Sequence, residues 1–374
     1  MDEAYKANGI IHCRVAGVYF HIPFCQSRCL YCDFFSTTSL SLRTAYVNAL
    51  KKEMHLRSTE CQNIRTVYFG GGTPSLLSGD EIGSLLKELD LSQATEITVE
   101  ANPGDITPQW LERLQQAGVN RLSIGIQSFH DSLLHLIGRR HNAQQARQAV
   151  KMAQQAGFNN ISIDLIYGLP SQTLQQWENE VEEALKLDIQ HLSCYCLTYE
   201  EGTPLTKMLN QGQIPSTDDD IANAMYDNLS ERLAKTGFEH YEVSNFAKKG
   251  CHSQHNSAYW NQTPYVGFGA GAHSYDGNRT RRANISDLNE YISSPGGKRT
   301  YLTETLSDTD FYNERIMLGL RTAYGIDVSS LTPLGLRCAQ KYIEEGKLCI
   351  DGSRIVATQE GLHLLNRIIE DLFE

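Results

Sequence analysis

Short apolar runs alternate with longer amphipathic segments between about residue 17 and residue 240. Runs of four to eight apolar residues are typical of buried strands, and apolar positions recurring every three to four residues are typical of helices. We predict six strands, at residues 17–23, 65–71, 96–102, 121–128, 160–168 and 191–199. The clearest helices are predicted at residues 42–57, 108–117, 143–156, 174–187 and 221–235.

This alternation predicts an α/β fold, because strand and helix in regular order form a parallel sheet with helical crossovers. Periodicity alone leaves both a doubly wound sheet and a complete or partial barrel open. From about residue 243 to 291 the sequence is rich in aromatic residues, Gly and Asn, which predicts extended segments and turns. Residues 293–297 (SSPGG) are predicted to form a linker.

The last part of the chain, residues 303–374, has a different pattern. Helical periodicity around residues 311–322 and 336–345 is followed by a hairpin signal at Asp351-Gly352 and by a final helical segment. Helices followed by a small hairpin predict a winged-helix-like module.

Composition and charge narrow the functional classes. The 374 residues carry a formal net charge of −11, from 33 basic and 44 acidic side chains. This balance argues against a broad basic face for nucleic acid. No run approaches the roughly 18 apolar residues of a membrane helix, and residues 1–10 are too polar for a signal peptide. We therefore expect a cytoplasmic protein that binds no nucleic acid and has no integral membrane segment.

Three of the ten cysteines, Cys25, Cys29 and Cys32, follow the first predicted strand with C-x3-C-x2-C spacing. In a reducing compartment, such close thiols are better interpreted as ligands of iron–sulfur clusters or zinc than as disulfides. A zinc site needs a fourth ligand, for which His21 and His12 are candidates. A [4Fe–4S] cluster on three cysteines leaves one iron open. The remaining seven cysteines are predicted to be free thiols.

Polar residues also mark the ends of other predicted strands. The second strand ends in a glycine-rich turn, YFGGGTP, and Glu100, Gln127 and Asp164 interrupt three later apolar strands. Because ligand sites of barrels gather at the carboxyl ends of strands, these residues predict one shared pocket. The alternative for each residue is a helix cap or a partner for a local backbone group.

The C-x3-C-x-aromatic-C signature resembles that of the radical S-adenosylmethionine (SAM) superfamily. In that family, SAM chelates the open iron of a [4Fe–4S] cluster, and one electron from the cluster cleaves SAM to a 5′-deoxyadenosyl radical. The cofactor carries the difficult chemistry, while the protein supplies position and a dry pocket. The resemblance implies that Cys25, Cys29 and Cys32 hold the cluster and that Tyr31 lies near the adenine.

Six motifs, in chain order, resemble the group that contains oxygen-independent coproporphyrinogen III dehydrogenase and the HemW-type haem chaperones. They are YFHIPFC, VYFGGGTPS, VEANPG, RLSIGIQSF, IGRRH and DLIYGLP. The resemblance implies an incomplete (β/α)6 barrel in residues 1–240, an extended segment packed on it in 241–300, and a small C-terminal domain in 301–374. It also implies SAM contacts from Tyr19, Tyr31, Gly71, Gly72, Thr73, Glu100, Gln127, Arg139 and Asp164.

Two departures favour the haem chaperones within this group. Phe34 stands where the dehydrogenase pattern has a fourth cysteine, and only 24 residues precede Cys25. In addition, His255, Tyr259 and Trp260 match the H-N-x-x-Y-W motif that HemW-type proteins use for haem. Without the resemblance, a histidine beside aromatic residues is more often structural. The nearby alternatives as haem ligands are His252, His273, Cys251 and Tyr265.

The resemblance therefore implies a haem chaperone that binds a [4Fe–4S] cluster, SAM and haem, and delivers haem to respiratory proteins. The alternative is coproporphyrinogen III dehydrogenase, so the sequence leaves enzymatic activity open. A radical SAM reaction on another substrate ranks third, and a structural zinc protein ranks last. The implied partners are haem, haem-accepting respiratory proteins and an electron donor such as a flavodoxin or ferredoxin. The sequence also leaves a homodimer open.

Overall fold

The computed structural model of the chain describes residues 17–297 and 299–374. The polar N-terminal stretch, His12 and Cys13 lie outside the described residues. Within the two described ranges, no helix combines the length and the apolar character needed to cross a membrane.

All six predicted strands are present and pair in parallel, in chain order. They are β1 (Gly17–Ile22), β2 (Thr66–Gly71), β3 (Glu96–Ala101), β4 (Arg121–Gln127), β5 (Ile161–Tyr167) and β6 (His191–Cys196). Each observed strand lies within its predicted range, and the C-terminal ends are up to three residues shorter. The parallel sheet predicted from the alternation is therefore confirmed.

Helices connect these strands and cover one face of the sheet. They are α1 (Arg43–Leu56), α2 (Gly79–Leu86), α3 (Pro108–Gln116), α4 (Asp131–Leu136), α5 (Ala143–Gln155), α6 (Leu174–Lys186), α7 (Pro204–Asn210) and α8 (Asp219–Lys235). Reciprocal side-chain and backbone hydrogen bonds form capping boxes at the starts of α2, α5 and α6.

Further strands extend the sheet on both sides. On one side, β7 (Phe238–Glu242) and β8 (Asn245–Lys248) form a hairpin that pairs antiparallel with β6. On the other, β9 (Tyr265–Phe268) pairs in parallel with β1, and β10 (His273–Tyr275), β11 (Thr280–Asn284) and β12 (Tyr301–Thr305) follow antiparallel. The resulting order is linear, from β12 to β7, so the described strands form an open sheet. The predicted incomplete barrel is confirmed.

Two helices lie in the segment that the sequence predicted to be extended, α9 (Gln254–Trp260) and α10 (Leu288–Ser293). The expectation of only strands and turns there was wrong. At α9 the Ser253 side chain accepts a hydrogen bond from the Asn256 backbone, which caps the first turn. The Glu96 carboxylate on β3 accepts from the backbone N–H groups of Gln254 and His255, at 2.8 and 3.1 Å. A tertiary contact therefore stabilises α9, a helix that the local sequence does not predict.

The two faces of the parallel sheet differ in character. On β1, Val18, Phe20 and Ile22 are fully buried in the main hydrophobic core that the helices cover. The opposite face carries polar side chains that are nevertheless shielded from solvent. Its buried members are Thr66, Glu96, Thr98, Arg121, Ser123, Ser162, His191 and Ser193. Several of these side chains have hydrogen-bond partners within the protein, as Ser162 has in His191 at 2.7 Å, so this face is a polar interior and not a second apolar core.

Glu53 on α1 joins the helix to the β9–β12 extension. Its side chain is fully buried, and one carboxylate oxygen accepts from Arg57 at 3.0 Å and from Asn284 at 2.9 Å. The other oxygen accepts from the Gly269 backbone at 3.0 Å and from the Tyr291 hydroxyl at 2.7 Å. Because every partner except Arg57 lies after β9, this one carboxylate connects α1 to that extension.

The C-terminal region has its own hydrophobic core. It consists of α11 (Asp308–Leu320), β13 (Ile326–Asp327), α12 (Pro333–Glu344), β14 (Leu348–Asp351), β15 (Arg354–Ala357), α13 (Gln359–Leu362) and α14 (Leu365–Leu372). The three strands form a small sheet in the order β13-β15-β14, and the predicted hairpin is its β14–β15 pair. The predicted helical, winged-helix-like region is thus confirmed.

The division into three domains stays a prediction. The predicted border at residue 300 falls just before β12, which pairs with β11 of the large sheet. The C-terminal region joins that sheet through backbone hydrogen bonds, from Val243 to Arg321 at 2.9 Å and from Ala323 to Tyr241 at 3.0 Å.

Replacing the buried carboxylate should destabilise the fold. We expect Glu53→Gln to lower the free energy of unfolding by about 3 kcal/mol, because Arg57 would lose its buried counter-charge. Chemical denaturation followed by circular dichroism measures this change. The matched control is Glu60→Gln, which removes the other carboxylate of Arg57 from a side chain that is 44% exposed. The control should cost less than about 1 kcal/mol, and equal losses would contradict the assignment.

Candidate cofactor-binding site

A cavity of about 850 Å³ opens at the carboxyl ends of the parallel strands. The loop after β1, the ends of β2 to β6 and parts of the C-terminal region form its walls. Most of the predicted site residues line it: Cys25, Cys29, Tyr31, Cys32, Gly71, Gly72, Thr73, Glu100, Gln127, Arg139 and Asp164. The expectation of one shared pocket at the strand ends is therefore met by the geometry.

Side chains from two other loops contact the loop that carries the three cysteines. Thr73, after β2, donates a hydrogen bond to the Cys25 sulfur at 3.4 Å, and Arg139 donates to the Cys29 sulfur at 3.4 Å. Burial raises the pKa of the Cys32 thiol, and the neighbouring Cys29 and Cys25 thiols add to this rise. All three cysteines line the cavity.

One of the two candidate fourth ligands of a zinc site has other partners in the structure. His21, a candidate fourth ligand, uses both ring nitrogens, for the Tyr19 hydroxyl at 3.2 Å and the Phe35 carbonyl at 2.9 Å. In the described ranges, no group of three His, Cys, Asp or Glu side chains could hold a metal ion. Three thiols around a shared cavity fit the donor set of a larger iron–sulfur cluster.

The glycines after β2 are required by close backbone approach. Gly71 has a φ of 111°, and an added Cβ there would lie 2.7 Å from the His21 ring. At Gly72 a Cβ would lie 2.9 Å from the Phe24 carbonyl oxygen. Because no side chain fits at either position, the backbone itself forms the cavity wall.

Two carboxyl groups face the cavity from neighbouring parts of the sheet. Glu100 on β3 accepts a hydrogen bond from the Tyr68 hydroxyl at 2.8 Å, and Asp164 on β5 accepts from Ser123 at 3.2 Å. Burial is the main cause that raises the pKa of Glu100 to about 7 and that of Asp164 to about 6. Both groups therefore titrate near neutral pH, where a bound cation or hydroxyl can select their ionised form.

Gln127 at the end of β4 has an unusual backbone. Its φ is 70°, a left-handed conformation that is uncommon outside glycine, and it follows a register shift between β4 and β5. Arg139 donates to the Gly125 carbonyl oxygen just before this shift. The bulge aims the Gln127 side chain into the cavity wall, and strained residues of this kind cluster at functional sites.

Tyr19 does not line this cavity. Its hydroxyl lies 3.2 Å from His21, and its ring stacks on Tyr68 with centroids 6.2 Å apart. The contact with SAM that the resemblance implies for Tyr19 stays a prediction.

His255 lies at the opposite end of the sheet from the cysteine loop. Its ring nitrogens are 2.8 Å from the Thr66 hydroxyl, at the start of β2, and 2.8 Å from the Tyr259 hydroxyl. The side chain is 1% exposed, and burial lowers its pKa to about 3. The structure therefore places the predicted haem residues apart from the cavity, and both nitrogens of His255 have protein partners.

The other candidate haem ligands are less enclosed. Tyr259 and Trp260 are half-buried, and Tyr259 packs edge-on against Tyr265 with centroids 4.6 Å apart. His252 stacks on Tyr241 with centroids 4.2 Å apart, and its Nε2 lies 2.9 Å from Glu239. Cys251 is half-buried and His273 is exposed. The haem role of each of these residues stays a prediction.

Sequence reasoning missed one wall of the cavity. Arg321 and Asn366 of the C-terminal region, with Val243 and Ser244 of the β7–β8 turn, complete it. No local pattern marks these residues, because only the packing of the C-terminal region against the sheet brings them there.

Two family models match the chain. The model described as the radical SAM superfamily matches residues 19–184, and the model of the HemN C-terminal domain matches residues 306–364. The first spans β1 to most of α6, and the second spans the C-terminal region from just before α11 to just after α13.

Curated proteins match over almost the whole chain. The haem chaperone HemW of Lactococcus lactis is 37% identical, over 94% of this chain and 96% of its own, and HemW of Bacillus subtilis is 35% identical, over 94% and 97%. The mitochondrial radical S-adenosyl methionine domain-containing protein 1 of Bos taurus is 34% identical, over 96% and 87%.

One solved structure has the same fold. Coproporphyrinogen III oxidase (HemN) from Escherichia coli, a radical SAM enzyme, superimposes with a TM-score of 0.82. The match covers 96% of this chain and 90% of that chain at 22% identity. At this identity the likeness concerns the fold alone.

The raised pKa of Glu100 predicts a pH dependence of stability. A carboxyl whose pKa is raised from 4.5 to about 7 on folding contributes stability below the lower value and loses it as the pH rises through the higher. We expect the Glu100 contribution to lower the free energy of unfolding of the cofactor-free protein by about 2 kcal/mol as the pH rises from about 4.5 to about 7. This contribution should be missing from Glu100→Gln.

The control is Glu200→Gln, which alters an exposed carboxyl on the same cavity wall. Denaturation at a series of pH values measures both variants against the wild type. A Glu100→Gln curve parallel to that of the wild type would show that Glu100 does not carry the effect.

Proposed function

The chain belongs to the HemW family of the radical SAM superfamily, and from this membership we propose that it is a haem chaperone that carries a [4Fe–4S] cluster and SAM. The observation that carries the proposal is the cavity shared by Cys25, Cys29, Cys32 and the polar strand ends. Phe34, 66% exposed, lines the same cavity at the position of the fourth cysteine of the dehydrogenase pattern.

Cys25, Cys29 and Cys32 would hold the cluster, which would supply the electron for cleaving SAM. Around the cysteines, Thr73 donates a hydrogen bond to the Cys25 sulfur and Arg139 donates one to the Cys29 sulfur. Arg139 is also a buried cation beside these sulfur atoms, so it offsets part of their negative charge.

The strand ends would bind the polar parts of SAM. The backbone at Gly71 and Gly72 presents its N–H and C=O groups without a side chain in the way, which suits the amino group. Glu100 and Asp164 are acceptors for the amino group and the ribose hydroxyls, and a ligand ammonium would favour their ionised forms. Gln127 and Tyr31 also line the cavity. Gln127 would bind polar groups of SAM, and Tyr31 would lie near its adenine.

We propose that haem is the cargo and that His255, Tyr259 and Trp260 take part in binding it. The lowered pKa keeps His255 neutral at physiological pH, which is the form that ligates iron. Because Tyr259 lies 2.8 Å from Nε2, ligation at that nitrogen would replace one hydrogen bond by an iron bond. The half-buried rings of Tyr259 and Trp260 would then offer apolar surface to the macrocycle.

The remaining parts of the proposal come from the family. Haem would pass to respiratory acceptor proteins, an electron donor such as a flavodoxin or ferredoxin would reduce the cluster, and the chain would act in the cytoplasm. The proposed function requires neither a monomer nor a homodimer.

The cluster assignment can be tested by anaerobic reconstitution. We expect about four iron and four sulfide per chain for the wild type, and loss of most of the visible absorption in Cys29→Ala. The matched control is Cys61→Ala, a half-buried thiol outside the cavity, which should keep the cluster. Stoichiometric zinc without a cluster in the wild type would refute the radical SAM proposal.

The haem assignment can be tested by titration with haem. We expect a Soret band in the wild type and at least about tenfold weaker binding in His255→Gln, because Gln can still bond Tyr259 but does not ligate iron as imidazole does. His252→Gln is the control, since His252 is the nearby histidine that bonds Glu239 instead. An unchanged Soret band in His255→Gln, with an unchanged unfolding midpoint, would show that a residue other than His255 ligates the haem iron.

The same preparation distinguishes the dehydrogenase. Incubation with coproporphyrinogen III, SAM and a reductant should give no protoporphyrinogen IX. Formation of protoporphyrinogen IX would favour radical decarboxylation over the chaperone function.

A further inference from the structure

Arg321 places a cation on the cavity wall that faces the C-terminal region. It directly follows α11, and its backbone carbonyl accepts a hydrogen bond from Val243 at 2.9 Å, which fixes it against the β7–β8 turn. Its side chain lines the cavity next to Asn366. The cysteine loop after β1 lines the same cavity. In the sheet, β1 and β6 are the first and last of the six parallel strands, so this loop lies on the side away from the β7–β8 turn.

The guanidinium of Arg321 is held only by neutral acceptors. Nη1 donates to the Met317 carbonyl at 3.0 Å, and Nη2 donates to the Asn366 side-chain oxygen at 2.7 Å. Burial lowers its pKa, with no acidic neighbour to oppose the effect. Within residues 17–297 and 299–374, no carboxylate forms an ion pair with it.

Arg140, which lines another part of the same cavity, shows the contrast. Its guanidinium lies 3.2 Å from the Asp105 carboxylate, so its charge is already balanced within the protein. Arg321 is oriented in advance but has no counter-charge. A partly desolvated cation of this kind gains free energy when an anion binds, and a guanidinium matches a carboxylate in a two-point hydrogen bond.

We propose that Arg321 binds a carboxylate of a second ligand in this cavity, and that this ligand is a tetrapyrrole bearing propionate groups. The choice of a tetrapyrrole rests on the proposed function, whereas the carboxylate rests on the geometry of Arg321. Leu197, Val243 and Tyr195 line the cavity as well and supply apolar surface for a flat macrocycle. The subsite is separate from His255, which lies at the opposite end of β1 and β2.

The volume of the cavity supports a second occupant. About 850 Å³ is near the upper end of the roughly 300–1,000 Å³ that small-molecule sites span. The groups assigned to SAM lie at the ends of β2 to β5 and in the cysteine loop, so the wall formed by the C-terminal region is not used by them.

The test uses an iron-free probe, so that iron ligation at His255 does not contribute. The cluster-reconstituted full chain with SAM is titrated with protoporphyrin IX and with its dimethyl ester, followed by porphyrin fluorescence. Arg321→Gln should weaken binding of the free acid by about tenfold to a hundredfold, and Arg321→Lys should keep part of the affinity. Arg337→Gln is the matched control, because Arg337 is an exposed arginine on α12 outside the cavity.

The ester separates charge recognition from packing. The wild type should bind the dimethyl ester about as weakly as Arg321→Gln binds the free acid, and Arg321→Gln should not weaken ester binding further. Equal losses for acid and ester, or an Arg321→Gln affinity equal to that of the wild type, would overturn the proposal.

A separate arm tests whether the carboxylate belongs to SAM. If Arg321→Gln weakens SAM binding in the absence of porphyrin, Arg321 recognises SAM and the tetrapyrrole inference fails. Absence of porphyrin binding by the wild type would also overturn it. Neither result decides the proposed chaperone function, which the Soret titration with iron-containing haem tests on its own.

Discussion

The buried carboxylate of Glu53 is the contact on which the position of the cysteine loop depends. The loop begins at the end of β1, and β1 lies between β2 and β9 in the sheet. Glu53 connects α1 to Gly269, Asn284 and Tyr291, so β9 stays beside β1 while the sheet remains open. In a closed barrel the strands would hold one another, whereas here a charge with five hydrogen-bonding and ionic partners holds one side of the sheet in place.

The sequence predicted the repeating part of the fold well because its rules are local. Strand and helix periods, capping residues and turn glycines all act within a few residues, and the six parallel strands lie within the predicted ranges. The helix α9 and the strand β12 were not predicted, because the carboxylate of Glu96 and the edge of β11 create them from elsewhere in the chain. Arg321 reaches the cavity through the same kind of distant contact.

The predicted site residues also fall into two groups, those whose position could be predicted from the sequence and those whose surroundings could not. Residues at strand ends could be placed in one pocket from topology alone, because parallel strands end at the same edge. The surroundings of His255 could not, since a motif gives the identity of a side chain but not the partners of its ring nitrogens. Thr66 is 189 residues away in the chain. Likewise, no residue near Gln127 indicates that its φ will be positive.

Tyr68 is in contact with both ends of the polar interior. Its ring stacks on His255 with centroids 5.1 Å apart, and its hydroxyl donates to Glu100 at 2.8 Å. One rigid side chain thus spans the distance between the histidine at the base of the sheet and the carboxyl at the cavity. An occupant that reorients His255 would change the packing of Tyr68 and thereby the free energy of the Glu100 carboxyl. Thermodynamic linkage would make that effect reciprocal, so binding at one end of the sheet would change the affinity at the other.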